Sequence, residues 1–335
     1  TGHLEGKRRF KAPVFVGIVA GAIILTSAFA TFAHLQGYKE DKSQFFIQNL
    51  KYEFIDGNKE EGSPVFITGY IGLGGEDVTI PNNVEGHPVQ GIAQGAFANN
   101  SIIETLTVEK GVAISVDAFY NCDSLQSITL LGENIIEEYA FAECDELTTI
   151  KATDLLYAGN MAFSNAQNLK SFRIETSAGN TGTVHFGEKV VTGAQEMQEI
   201  YIDRYISYGD QVHYFDAIGS VEKLYLKNMN YAAYSENGAL DTTLADVFGD
   251  NGVDVKKFEI QFADVIPAFL MEGSGQEITE FTVRNITETT VGEAAFKDCT
   301  NLATINIPKL LTEVGASAFE GTAITSFNAL ALKKM

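Results

Sequence analysis

The pair Ala-Phe recurs in this 335-residue chain at Ala96-Phe97, Ala118-Phe119, Ala140-Phe141 and Ala162-Phe163, each Phe 22 positions after the last. It returns at Ala295-Phe296 and Ala318-Phe319. Nine residues after each of the first four Phe an apolar-x-apolar triplet begins: Leu106-Thr107-Val108, Ile128-Thr129-Leu130, Ile150-Lys151-Ala152 and Phe172-Arg173-Ile174. Another apolar position recurs six residues after the Phe, as Ile103, Leu125, Leu147 and Leu169. In each triplet the two-residue period of a strand turns the outer residues one way and the middle one the other. One such strand cannot bury its apolar face alone, so successive strands must stack into a parallel sheet with the first and third residues inward. The Ala-Phe pairs then form the opposite wall, Ala allowing close approach and Phe filling the space between turns. This predicts Phe97, Phe119, Phe141 and Phe163 in file within a core, with no ligand role.

Val78-Thr79-Ile80 begins the triplet series, and Ile200-Tyr201-Ile202, Leu224-Tyr225-Leu226, Phe258-Glu259-Ile260, Phe281-Thr282-Val283, Ile305-Asn306-Ile307 and Phe327-Asn328-Ala329 continue it, about eleven rungs in all. Between Phe172 and Phe281 the spacing lengthens and the Ala-Phe pair is lost from its regular place nine residues before the triplet, so residues 175–290 either carry insertions or interrupt the stack. A period of 20 to 29 residues on this apolar skeleton is about what a leucine-rich repeat solenoid requires. The segments "VTIPNNVEGHPVQGIAQGAF", "AFYNCDSLQSITL", "AFAECDELTTI" and "AFKDCTNLATINIP" resemble the BspA-like, Treponema-type leucine-rich repeat family. That resemblance implies a mainly β or α/β fold with a curved parallel sheet over residues 91–335, display on a microbial surface, and adhesion to proteins or cells. An N-terminal β cap is expected over residues 46–90, with His87 in a structural turn.

Lys7, Arg8, Arg9 and Lys11 stand before Ala12 to Ala33, a run without a charged side chain. As a helix it is about 33 Å long, enough to span a bilayer. The basic tail 1–11 keeps the N-terminus cytoplasmic, and residues 34–45 read as a stalk. Ala28-Phe29-Ala30 has the form of a signal-peptidase site, so the segment is either a signal anchor or a cleaved leader, and both routes export the remainder of the chain. Lys and Arg total 23 against 44 Asp and Glu, a formal charge of -21. That charge opposes approach to a phosphate backbone, which argues against nucleic acid as a partner.

No HExxH, CxxC, GxSxG or P-loop spacing occurs, so no enzyme, cofactor or metal site is expected. The acidic groups Glu137-Glu138 and Asp123 with Asp145 lack an ordered calcium spacing and read as a solvated face. Cys122, Cys144 and Cys299 share one position of their repeats and are expected as reduced, buried thiols. The triplet centres give the outward row of the sheet, bland at its ends but not in its middle, where Lys151, Arg173, Tyr201, Tyr225 and Glu259 succeed one another, with Asp203 and Lys227 two residues further along their strands. Tyr and Arg are enriched at binding hot spots, and a solenoid's concave face is where partners dock. The reading is therefore an exported, non-catalytic solenoid that takes an extracellular protein or glycan on these seven residues and on the Tyr-rich insertions, seven of the 13 Tyr lying between Tyr201 and Tyr234. The alternative is a spacer of a surface assembly. A stack ending soon after Phe327 would expose its core unless the chain continues or associates with another copy.

Overall fold

A computed structural model describes residues 50–326, apart from 56, 58, 71–74, 209–212, 235–241, 250–251, 289 and 309–310. The leader, the stalk and the triplet at Phe327 lie outside the described residues. No helix among the described residues is long and apolar enough to cross a membrane.

The triplets form one ten-stranded sheet, with strands Asp77–Ile80, Thr105–Val108, Ser127–Leu130, Thr149–Thr153, Ser171–Glu175, Glu196–Ile202, Ser220–Asn228, Asp254–Ala263, Glu280–Ile286 and Thr304–Asn306 side by side in chain order. All neighbours are parallel. The register pairs first residue with first residue: Val78 with Leu106, Leu106 with Ile128, and so on to Phe258 with Phe281 and Phe281 with Ile305. From Val78 to Val283 the first and third residues of every triplet are buried. The sheet runs through residues 175–290 without a break, so the irregular stretch carries insertions rather than an interruption.

A second sheet backs the first. In it Val65–Tyr70, His87–Ile92, Ala113–Ile114, Ile135–Ile136, Tyr157–Ala158, Thr183–Phe186 and Tyr205–Ile206 pair in parallel. At its start Leu50–Phe54 runs antiparallel to Val65–Tyr70. His87 opens its strand, with Nδ1 3.0 Å from the Ser63 carbonyl and its ring edge-on to Phe54 at 4.8 Å, a packing role.

Between the sheets the phenylalanines stand in file. Phe97, Phe119, Phe141 and Phe163 stack with centroids 4.8, 5.1 and 5.3 Å apart and planes within 8° of parallel. Phe296 and Phe319 repeat the arrangement at 5.6 Å and 4°. Where Ala-Phe is missing, other apolar pairs fill the same place. Phe163 donates its amide to Val190 as Phe141 does to Ala162, Val191 pairs with Phe215, and Met271 donates to Ala295. Phe248 stacks on Phe215 at 5.2 Å. It comes from the short helix Leu244–Phe248, which a reciprocal Thr243–Asp246 capping box starts and Gly249 ends. The three cysteines are free and buried, and Cys122 and Cys144 donate to the carbonyls of Phe97 and Phe119 at 3.3 Å.

Candidate functional site

Because the triplets are in register, their middle residues form a straight row across the sheet. Lys151 pairs with Arg173, Arg173 with Tyr201, Tyr201 with Tyr225, and Tyr225 with Glu259. Parallel strands bring such residues close enough for rings to stack. The Arg173 guanidinium lies 3.8 Å over the Tyr201 ring, and Tyr225 stacks beyond Tyr201 at 4.5 Å and 15°. Both faces of Tyr201 are therefore occupied, and the phenol edges are left to meet a partner. A cation over an aromatic face at a half-exposed position stabilises by about 0.5–1 kcal/mol.

Carboxylates from the same outward rows hold the cations. Arg173 donates to Glu175 at 2.8 Å and to Glu199 at 2.7 Å, and Lys151 reaches Glu175 at 3.2 Å. The hydrogen bond from Arg173 holds the Glu175 carboxyl below the usual range, helped by Lys151. Lys227 donates to Asp203 at 2.7 Å, and the Tyr225 hydroxyl donates to the same carboxylate at 3.3 Å. Burial, then the Asp203 charge, pushes the Tyr201 and Tyr225 phenols up, so both stay protonated donors at neutral pH. Glu259 accepts a forked pair from Arg284, at 2.7 and 3.2 Å.

The structure thus brings all seven expected residues onto one surface, in the order the sequence implies, but as a neutralised network rather than a row of free charges. Glu175, Glu199 and Arg284 complete it, and sequence reading missed them. Their signal was available: Glu175 and Glu199 stand one residue outside their triplets, on the same face as the centre by the two-residue period. A second group was less legible. Tyr205, Tyr231, Tyr234 and Phe262 gather beside Lys227, whose Nζ lies 5.8 Å from the Tyr205 ring and 5.9 Å from Phe262. They come from three separate segments, so no spacing foretells their meeting.

The profile of the BspA type leucine rich repeat region matches residues 75–204 and 265–333 in six copies. No curated protein matches the chain. Among solved structures, a leucine-rich repeat protein from Bacteroides ovatus is 16% identical over 82% of this chain and 91% of its own, with a TM-score of 0.29. One from T. pallidum is 16% identical over 82% and 86%, with a TM-score of 0.31. A leucine rich cell surface protein from Faecalibacterium prausnitzii is 17% identical over 86% and 97%, with a TM-score of 0.27.

Proposed function

The chain belongs to the BspA-type leucine-rich repeat family, and from that premise we propose that it is a surface-displayed, non-catalytic recognition protein whose ligand docks on the outward face of the ten-stranded sheet. The observation that carries this reading is the stack of Arg173, Tyr201 and Tyr225 on three adjacent strands. A solenoid needs no large aromatic at those positions, since Thr107 and Thr129 fill them in the regular turns. Display outside the cell rests on the apolar run Ala12 to Ala33 and its basic flank. The ligand is an extracellular protein or glycan, and the membrane is reached only through the leader.

The test uses intact cells displaying the full chain, with attachment to host cells and matrix measured under flow. The triple variant R173A/Y201A/Y225A is expected to weaken attachment by about tenfold or more, as loss of a hot-spot cluster does, when measured well below its melting temperature, which the lost stack lowers modestly. A spacer role is the second reading, and one observation favours it: the cations of this face are already satisfied by neighbouring carboxylates. Undiminished attachment by the triple variant would select the spacer.

A further inference from the structure

Two surfaces of different chemistry meet at Lys227. On one side lies the sheet face, a lattice of closed ion pairs: Arg173 with Glu175 and Glu199, Lys227 with Asp203, Lys257 with Glu280, Arg284 with Glu259. On the other lies an aromatic rim. Tyr205 and Tyr234 stack at 3.9 Å and 7°, Phe262 lies 5.8 Å from Tyr205, and Tyr231 lies 5.7 Å from Tyr234 and 6.0 Å from Phe262. The four planes stay within 28° of parallel in every close pair. Each ring is only half-buried, whereas the phenylalanines of the regular core are closed to solvent. The turn that supplies Tyr231 and Tyr234 is held in place by the Ala232 amide on Asp264 at 2.8 Å, so the rim is assembled before any ligand arrives.

The chemistry selects among ligands. A polyanion would approach a chain of net charge -21 and find the cations of this face engaged. A dry protein interface would have to strip water from every ion pair, and the cores of such interfaces are depleted of charge for that reason. A neutral sugar meets neither obstacle. Its hydroxyls each donate and accept, so they replace surface water on the carboxylate and ammonium groups without opening a pair, while its apolar ring face packs on aromatic carbon. We infer that the aromatic rim and the adjoining sheet face form one track for a neutral oligosaccharide, with a pyranose ring packed on the Tyr205, Tyr231, Tyr234 and Phe262 cluster and neighbouring hydroxyls bonded to Lys227, Asp203 and Tyr225. The inference rests on the recognition reading above and narrows it to a class of ligand.

The full chain, solubilised in a detergent without a sugar headgroup, is titrated calorimetrically. The probes are neutral hexasaccharides of α- and β-linked glucose, of mannose and of N-acetylglucosamine, with heparin as the polyanionic arm and gelatin as the protein arm. The chain has no Trp, so its emission comes from tyrosine, and a change that Y205A/Y234A removes is assigned to the track. At least one neutral hexasaccharide is expected to bind and to change that emission. Tyr225→Phe, which keeps the stack and removes one hydroxyl, should weaken binding by about threefold to tenfold, the worth of one hydrogen bond. Y205A/Y234A should weaken it by about tenfold or more, in line with a lost aromatic anchor, and Tyr225→Phe keeps the test valid should that variant fold poorly. Binding of heparin or gelatin with the neutral panel silent overturns the inference, as does sugar binding that neither variant alters or a complete absence of binding. If no sugar binds and R173A/Y201A/Y225A still weakens cell attachment, the ligand class fails while the recognition reading stands.

Discussion

At the residue scale, each regular turn of the solenoid asks the backbone for two left-handed positions, one two residues before the core Phe and one two residues after it. Gly95, Asp117, Tyr139 and Met161 fill the first with φ of 64°, 56°, 55° and 52°. Asn99, Asn121, Glu143 and Asn165 fill the second at 62°, 56°, 61° and 60°. A side chain with a Cβ costs roughly 1–2 kcal/mol there, less for Asn, which bonds locally. Gly95 isolates that cost, because a Cβ added to it would meet nothing within 4 Å. Gly95→Ala is therefore expected to destabilise the protein by about 1 kcal/mol. Ala294 occupies the corresponding place before Phe296 with φ 50°. Ala294→Gly should change stability with the opposite sign, by about 0.5 kcal/mol, since the freed strain is partly offset by glycine's greater entropy loss on folding. Denaturant midpoints of the two variants check this, and a shift of both in the same direction would show that another constraint governs these positions. The requirement is hard to see in sequence, where Gly, Asp, Tyr and Met share no visible property.

At the scale of elements, what was legible divides along packing. The triplets and the Phe file could be read because a strand buried on one face against an identical neighbour tolerates little change in spacing or bulk, and the register from Val78 to Ile305 matches the triplet series residue for residue. The turns of the irregular region could not, because their wall accepts Val190-Val191, Tyr214-Phe215 or Leu270-Met271 in place of Ala-Phe. One device there was invisible from spacing. Where the turn after Ser171–Glu175 lengthens, Arg204 is buried with Nη1 3.1 Å from Asp154 and Nε 3.0 Å from the Thr183 carbonyl, while Ser177 donates its amide to Asp154 at 3.0 Å. Three successive turns are thereby clasped. Replacing one partner strands the other's charge, so Asp154→Asn is expected to cost about 3–5 kcal/mol. Burial pushes the Asp154 carboxyl up, but the Ser177 bonds and Arg204 outweigh it and hold it below 3.8. A lowered folded value contributes stability above pH 3.8 that disappears as pH falls through the folded value. Melting curves between neutral and strongly acidic pH should accordingly show a shallower acid slope in Asp154→Asn than in the parent chain, and parallel slopes would remove Asp154 from the account.

At the scale of the whole described stack, cohesion is mainly a sum over neighbours rather than a single core, since most pairings join a turn to the turns beside it, and the Arg204–Asp154 clasp is one that reaches across an intervening turn. The sheet nevertheless is not uniform. Its strands have 4 residues at Asp77–Ile80, 9 at Ser220–Asn228, 10 at Asp254–Ala263 and 3 at Thr304–Asn306. The family profile omits residues 205–264, yet these contain the longest strands, because divergence in the turns left Val221, Leu224 and Leu226 and Val255, Phe258 and Ile260 buried inward in matching register. Native-state amide exchange should therefore be slowest in Ser220–Asn228 and Asp254–Ala263 and fastest, among the ten strands, in Thr304–Asn306. Phe141→Ala sharpens the expectation. It opens a cavity between two stacked neighbours at 5.1 and 5.3 Å and should cost about 3–5 kcal/mol. With nearest-neighbour coupling, exchange accelerates in Ser127–Leu130 and Thr149–Thr153 while Asp254–Ala263 keeps its protection. Equal acceleration in all ten strands would mean that the stack opens as one cooperative body, and that the long central strands do not stabilise their own region independently of the Phe file.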